Sequence, residues 1–109
     1  MPYTITKTTS LRSRNTPALK DSPNLHPSVA AALARIGHGL RNHPALRSRS
    51  ITISPDGLTR TTITVWDSRA AYADFRTTHD ADLSLVARAA TLYQQDNGIA
   101  VNTYVTKDD

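Results

Sequence analysis

Trp66, Tyr72, Phe75 and His79 are the side chains of this chain best suited to handling a flat, ionisable organic molecule. An indole stacks on a planar guest and donates one N–H. An imidazole can take a phenolic proton near neutral pH. A tyrosine hydroxyl can bond a carbonyl or an enolate. The spacing 72, 75, 79 puts three of the four on one face of a helix, and Trp66 closes an alternating run just before it. The same residues would also serve as an ordinary core. Trp66 reads as a pocket wall or as packing, Tyr72 as a ligand contact or as packing, and His79 as a base or as a buried ring bonded to backbone.

The elements that must position them follow from the change of period. In Thr59–Trp66, Thr61, Ile63 and Val65 point one way while Arg60, Thr62, Thr64 and Trp66 point the other, and these residue types suit a pleated strand. Thr64 and Arg60 therefore join Trp66 as candidate substrate contacts. Asp67 and Ser68 are both good N-caps, and Arg69–Phe75 reads as helix. A strand thus runs directly into a helix with Trp66 at the hinge. The stripe Tyr72, Phe75, His79, Leu83, Val86, Ala90, Tyr93 keeps helical phase to residue 93. One straight helix of that length would run to roughly 40 Å, longer than so small a domain is wide. Thr77-Thr78-His79-Asp80 has low helix propensity, so two helices, or one bent near His79, are expected. Leu85 and Leu92 lie off the stripe and point to a second buried face.

Upstream, residues 2–11 alternate loosely as a first strand, with Tyr3 and Ile5 on one face. Residues 12–27 form a polar connection with Pro17, Pro23 and Pro27, read as a lid, an arm toward a partner, or a plain loop. Residues 27–43 read as a helix with Val29, Leu33, Ile36 and Leu40 on its stripe, weakened by Gly37 and Gly39 and ended before Pro44. Residues 46–54 form a second strand in which Ile51 and Ile53 share a face with Arg47 and Arg49, and the serines take the other. Pro55-Asp56-Gly57 turns it into the third strand as a hairpin. Arg49 and Arg60 are then candidate cross-strand neighbours able to meet an anion, or simply a solvated surface. Asn97-Gly98 ends the second helical region, and Ile99–Thr106 is a fourth strand on which Asn102 and Tyr104 share parity. His26 and His43 flank prolines at the ends of the first helix, which suits capping, and His38 falls opposite its apolar stripe.

The order β-α-β-β-α-β is the ferredoxin-like plait, an α+β fold with an antiparallel four-stranded sheet and helices over one face. The other face is expected to carry Thr62, Thr64, Trp66 and Tyr104. A symmetric homodimer closing two sheets into a barrel would cover it.

At 109 residues the chain makes one domain, 1–109, with room for one modest core. It holds no cysteine, which rules out disulfides, thiolate nucleophiles and Cys-ligated metals. Its four histidines show no metal-ligand spacing, so no metal site is expected. No segment is apolar enough for a membrane span or a signal peptide, and a cytoplasmic protein is expected by default. The net charge of +4 comes from scattered arginines rather than a block. RNA-recognition domains share this element order, but they need two or more exposed aromatics on the third strand. This strand has one aromatic and no glycine, so nucleic acid is set aside.

The stretch resembles the dimeric α+β barrels, most of all the antibiotic-biosynthesis-monooxygenase type. The resemblance is carried by His43-Pro-Ala-Leu-Arg-Ser48 leading into a strand, Ser54-Pro-Asp-Gly57 at the hairpin, and Val65-Trp-Asp-Ser68 followed by Ala71, Tyr72 and Phe75. Pro44-Ala45 stands where that family often has Pro-Gly. The resemblance implies a small homodimer with one pocket per subunit. Some members oxygenate aromatic, polyketide-like phenols without a cofactor; others are cyclases, haem-degrading enzymes, or have no known activity. Haem breakdown would require an Asn on the first strand, a helical Trp and a His ligand. This chain offers Thr4, Thr6 and Thr8, then Phe75, then Leu85. The expectation is therefore a cofactor-free oxygenase with His79 as base, Trp66 and Tyr72 orienting, and Phe75, Tyr104, Asn102, Thr64 and Arg60 around the substrate. A cyclase or isomerase, or a non-catalytic dimeric ligand-binding protein, are the alternatives.

Overall fold

The computed structural model describes residues 2–11, 19–22, 24–97 and 100–108, with the side chains of 95–97 and 100–104 outside that description. Four strands make one antiparallel sheet: β1 (Tyr3–Leu11), β2 (Leu46–Ile53), β3 (Thr59–Trp66) and β4 (Ala100–Asp108), in spatial order β2-β3-β1-β4. The helices are α1 (Pro27–Arg41), α2 (Arg69–Thr78) and α3 (Asp80–Asn97). The expected α+β plait is the fold, and its second helical region is split at His79 as the low propensity of Thr77–Asp80 predicts.

Local chemistry accounts for the element ends. His26 caps α1, its Nδ1 accepting from the Ser28 backbone N–H at 3.1 Å, and Pro27 fills the first turn, where its missing N–H costs nothing. Ser68 caps α2, its Oγ accepting from Ala71 N at 3.1 Å. The Ala71 N–H would otherwise lack a partner in the first turn. The hairpin turns at Gly57, whose φ of 74° a residue with a side chain adopts only under strain. Asp56 locks the turn by accepting from Leu58 N and from the Ser54 hydroxyl. Residues 12–18 and Pro23 of the polar connection lie outside the described residues; Leu19–Asp21 within it forms a short 3-10 turn.

The register decides which face of the sheet the helices cover, and it reverses one expectation. Trp66 stands opposite Tyr3, and Thr64 opposite Ile5. Tyr3 and Trp66 are both buried beneath the helices with Phe75. Trp66, Thr64 and Thr62 thus lie on the covered face, not the open one. The open face carries Thr61, Ile63 and Val65 from β3 and Thr4, Thr6 and Thr8 from β1. Tyr104 stands opposite Thr8 and Asn102 opposite Ser10, so by register both hold positions on that open face; their side chains lie outside the described residues.

A bulge at the start of β2 corrects a second reading. Leu46 pairs with Trp66, but the next partner of β3 is Ser48, opposite Val65. The extra residue, Arg47, leaves the ladder and reaches Asp67. Beyond the bulge Arg49, Ile51 and Ile53 stand opposite Thr64, Thr62 and Arg60. Leu46, Arg49 and Ile51 therefore share the helix side, and Arg47 does not share their row. Arg49 and Arg60 are not cross-strand partners either: four residues, about 13 Å of strand, separate the rungs they occupy.

The molecule is thin, 37 × 32 × 17 Å, which is one sheet and one helix layer. Among the described residues the buried core is Tyr3, Leu11, Val29, Ala32, Trp66 and Phe75, small for a chain of this length. α1 faces it with Val29 and Ala32, while His38 is exposed as its phase predicts. Leu92 on α3 is 53% exposed while Leu85 is half-buried, so the described residues cover the second face expected there only in part. No described helix is long and apolar enough to cross a membrane.

Candidate functional site

Three elements converge at the end of β3. The strand delivers Trp66, 1% exposed; the Ser68 cap starts α2 at once, so Tyr72 and Phe75 fall back over the indole; and the break after Thr78 places His79 at the end of that row. Ring centroids of Trp66 lie 5.6 Å from Tyr72 and 5.2 Å from Phe75, and His79 lies 4.6 Å from Phe75. Tyr3 completes the group, 5.7 Å from Tyr72. Such edge and tilted pairs contribute on the order of 0.5–1.5 kcal/mol each beyond their burial.

His79 is half-buried against the back of α1, where Gly39 makes room. A Cβ at Gly39 would lie 2.6 Å from His79 Nε2 and 2.8 Å from its Cε1. The side chain thus points inward at the helix break, as its phase on the stripe predicts.

A second imidazole joins the cluster: His43, to which its place beside Pro44 assigns only a capping role. Its Nδ1 does accept from Ala45 N at 3.1 Å, but its ring stands edge-on to Trp66 at 5.2 Å and to Phe75 at 6.0 Å. An accepting Nδ1 leaves the proton of the neutral ring on Nε2, which is then a donor. The loop that carries it is pinned to the end of β3 by Asp67 N donating to Ala45 O at 2.8 Å. Counting back from the hairpin turn sets the start of β2 beside Trp66; that count was the available signal for His43.

One atom in this cluster is unsatisfied. Trp66 Nε1 is buried and has no hydrogen-bond partner among the described residues. A buried donor left unpaired costs roughly 1–3 kcal/mol, so buried groups of this kind are nearly always paired. Around the rim the field is positive. The Arg76 guanidinium donates to Tyr72 Oη at 3.3 Å, Lys107 Nζ lies 5.9 Å from the Tyr72 ring, and the Arg69 guanidinium lies 5.4 Å from the Tyr3 ring.

Beside the cluster, between α1 and β2, is a cleft of about 740 Å³. Its apolar wall includes Ile36, Leu40 and Leu46, the same residues that pack against the aromatic core from outside. Its polar wall is cationic: Lys20, Arg41, Arg47 and Arg49. Farther along α3, Arg35 holds Asp82 through two hydrogen bonds, Nη2–Oδ1 at 2.8 Å and Nε–Oδ2 at 2.9 Å. Those bonds keep the Asp82 carboxyl below the ordinary carboxylate range, and the guanidinium charge adds to the effect. Among the described residues no three His, Asp or Glu side chains converge so as to hold a metal ion.

The structure thus gathers Trp66, Tyr72, Phe75 and His79 and leaves Thr64 one rung pair away, opposite both Ile5 and Arg49. Arg60 shares their side of the sheet but stands six residues, about 20 Å, along β3 from Trp66. Asn102 and Tyr104 occupy β4 positions on the opposite face and do not join the cluster by register.

No protein-family model and no curated protein matches the sequence. Solved structures do match. A dimeric ferredoxin-like protein from an uncultured marine organism superposes with a TM-score of 0.59 at 10% identity, covering 97% of this chain and 84% of that one. A mutant of SnoaB, a cofactor-independent oxygenase from Streptomyces nogalater, gives 0.57 at 9% identity, covering 99% and 91%. A protein of Bacteroides thetaiotaomicron provisionally named an antibiotic biosynthesis monooxygenase gives 0.56 at 10%, covering 99% and 88%. The fold these structures share with the chain is the ferredoxin-like plait. At these identities the likeness speaks for the backbone alone.

Proposed function

We propose that this protein is a small homodimeric enzyme that oxygenates an aromatic, polyketide-like phenol without a bound cofactor. The observation that carries the reading is the buried indole N–H of Trp66, unpartnered at the centre of a ring cluster that holds two imidazoles. A phenolate or enolate oxygen would satisfy that donor. His43, whose ring stands edge-on to the indole, carries a second donor on Nε2, and such preorganised donors stabilise charge as it develops. His79 is the base that removes the proton. Tyr72 and Phe75 hold the ring system flat, and Thr64 borders it. The cleft between α1 and β2 is the entrance, because Leu40 and Leu46 separate it from the cluster and a guest that displaces them reaches the indole. A second copy would cover the open sheet face with its threonines, Ile63 and Val65.

The reaction balances without an outside reductant. Deprotonation gives a carbanion stabilised as the phenolate; it donates its electrons to O₂; the hydroperoxide formed loses water. One ring CH₂ and one O₂ become one C=O and one H₂O. The test uses a tricyclic hydroxyanthrone as probe, with oxygen uptake and quinone absorbance followed together in the absence of added metal or cofactor. Wild type should consume one O₂ per quinone, and His79→Ala should lose about 10²-fold or more of the rate above background. A probe that turns over without oxygen uptake would assign a cyclase or isomerase on the same site. Oxygen uptake no faster than in buffer, together with no binding of the probe, would end the reading.

A further inference from the structure

We propose that the cleft between α1 and β2 is a binding site for an amphipathic organic anion: a carboxylate carried on a flat apolar body. As a statement about the substrate it rests on the oxygenase reading above; as a statement about binding it needs no turnover.

Three observations carry it. The first is charge. Among the described residues four cations line the cleft, and no carboxylate does. One of them, Arg47, is neutralised by Asp67. Lys20, Arg41 and Arg49 make no ion pair among the described residues. Cations converging on one concave wall raise the local concentration of anions, and a guanidinium fork matches a carboxylate in particular. The second is shape and surface. About 740 Å³ is the size of a small-molecule site, and between the cations the lining is apolar, with Leu33, Ile36 and Leu40 from α1 and Leu46 from β2. Bare ions need no such lining; an apolar body does.

The third is that two local devices aim the arginines into this space. On β2 the bulge after Leu46 moves Arg49, rather than Ser48, into the helix-side row next to Ile51. An unbroken alternation from Leu46 would have put serines there. On α1, Gly37 lets the Arg41 guanidinium lie against the helix: a Cβ at Gly37 would stand 3.2 Å from Arg41 Nη1. Gly37 touches no ring of the aromatic cluster, yet it shapes the cationic lining.

The probe pair is 3-hydroxy-2-naphthoic acid and its amide, which share the ring and the hydroxyl and differ in charge; their intrinsic fluorescence reports binding. Wild type should bind the acid about tenfold or more tightly than the amide, with the difference shrinking as salt is raised. Arg41→Gln/Arg49→Gln should bring the acid down to the amide and leave the amide unchanged. Arg88→Gln, an exposed cation on α3, is the control and should change neither. These side chains are exposed, so unfolding midpoints should stay close to wild type. Equal binding of acid and amide by wild type, a preference that survives the double substitution, or no binding of either would each overturn the proposal. Oxygen uptake with the uncharged anthrone is a separate readout, so loss of charge preference and loss of oxygenase activity are told apart.

Discussion

The contact between Gly39 and His79 makes a sharp test of how the site is built, because one added methyl meets two opposed effects. Replacing Gly39 by Ala in α1 removes the backbone-entropy cost of glycine, a gain of about 0.5–1 kcal/mol in a helix. The new Cβ would stand 2.6 Å from His79 Nε2, 2.8 Å from Cε1 and 3.5 Å from Phe75 Cε2, well inside contact distance for the imidazole. The ring cannot swing away freely, because it lies on Phe75 at 4.6 Å and its residue joins α2 to α3. Overpacking of this kind costs about 1–3 kcal/mol. Gly39→Ala should therefore destabilise the wild type, by up to about 2 kcal/mol. In a His79→Ala background the clash is gone, and the same substitution should stabilise by about 0.5–1 kcal/mol. The assay is urea unfolding of the four proteins of the cycle at one protein concentration, so that any self-association contributes equally to all four. The coupling between the two sites should come to about 1–3 kcal/mol. If Gly39→Ala stabilises both backgrounds equally, His79 does not sit against α1 and the placement of the base is wrong.

Other expected outcomes concern the same frame. Trp66→Phe removes the unpaired N–H along with part of the ring, so the relief of about 1–3 kcal/mol should offset much of the packing lost. Trp66→Ala removes the same N–H but far more packing, and should cost about 3–5 kcal/mol by thermal or denaturant unfolding. If the proposed oxygenase reading holds, both should abolish oxygen uptake. Ser68→Ala takes away the acceptor for Ala71 N at the start of α2 and should cost about 1 kcal/mol, read as a lowered urea midpoint with unchanged slope. The Asp82 carboxyl, held down by the Arg35 hydrogen bonds, is more acidic folded than unfolded. Its contribution is present above the ordinary carboxylate range and is lost as pH falls through the depressed value. The stability gap between wild type and Asp82→Asn should accordingly be flat above about pH 5 and close below about pH 4. A gap that widens on acidification would contradict the ion pair.

Much of this architecture could be read from residue patterns, because it is decided within a few residues of chain. Alternation marks the strands. Ser68 and His26 start their helices with a side-chain acceptor, Gly57 supplies the positive φ of the hairpin, and the weak helix formers around His79 break the long helix. The row Tyr72, Phe75, His79 follows from helical spacing and survived intact in the folded chain. What the pattern could not settle is which side of the sheet a row belongs to. Period two separates two faces but says nothing about which one the helices cover, and Trp66, Thr62 and Thr64 were accordingly placed on the open side. Only the pairing of Trp66 with Tyr3 under Phe75 decided it. The bulge at Arg47 adds one residue without any local signature, and it alone brings Leu46, Arg49 and Ile51 into one row. His43 is some twenty residues from Trp66 in the chain and meets it only through the hairpin's register. The unpaired indole N–H, the Gly39 seat for His79 and the cationic cleft are likewise products of packing between distant elements. Local propensity writes the elements into the chain; long-range contacts, which no short window contains, choose their faces and so make the site.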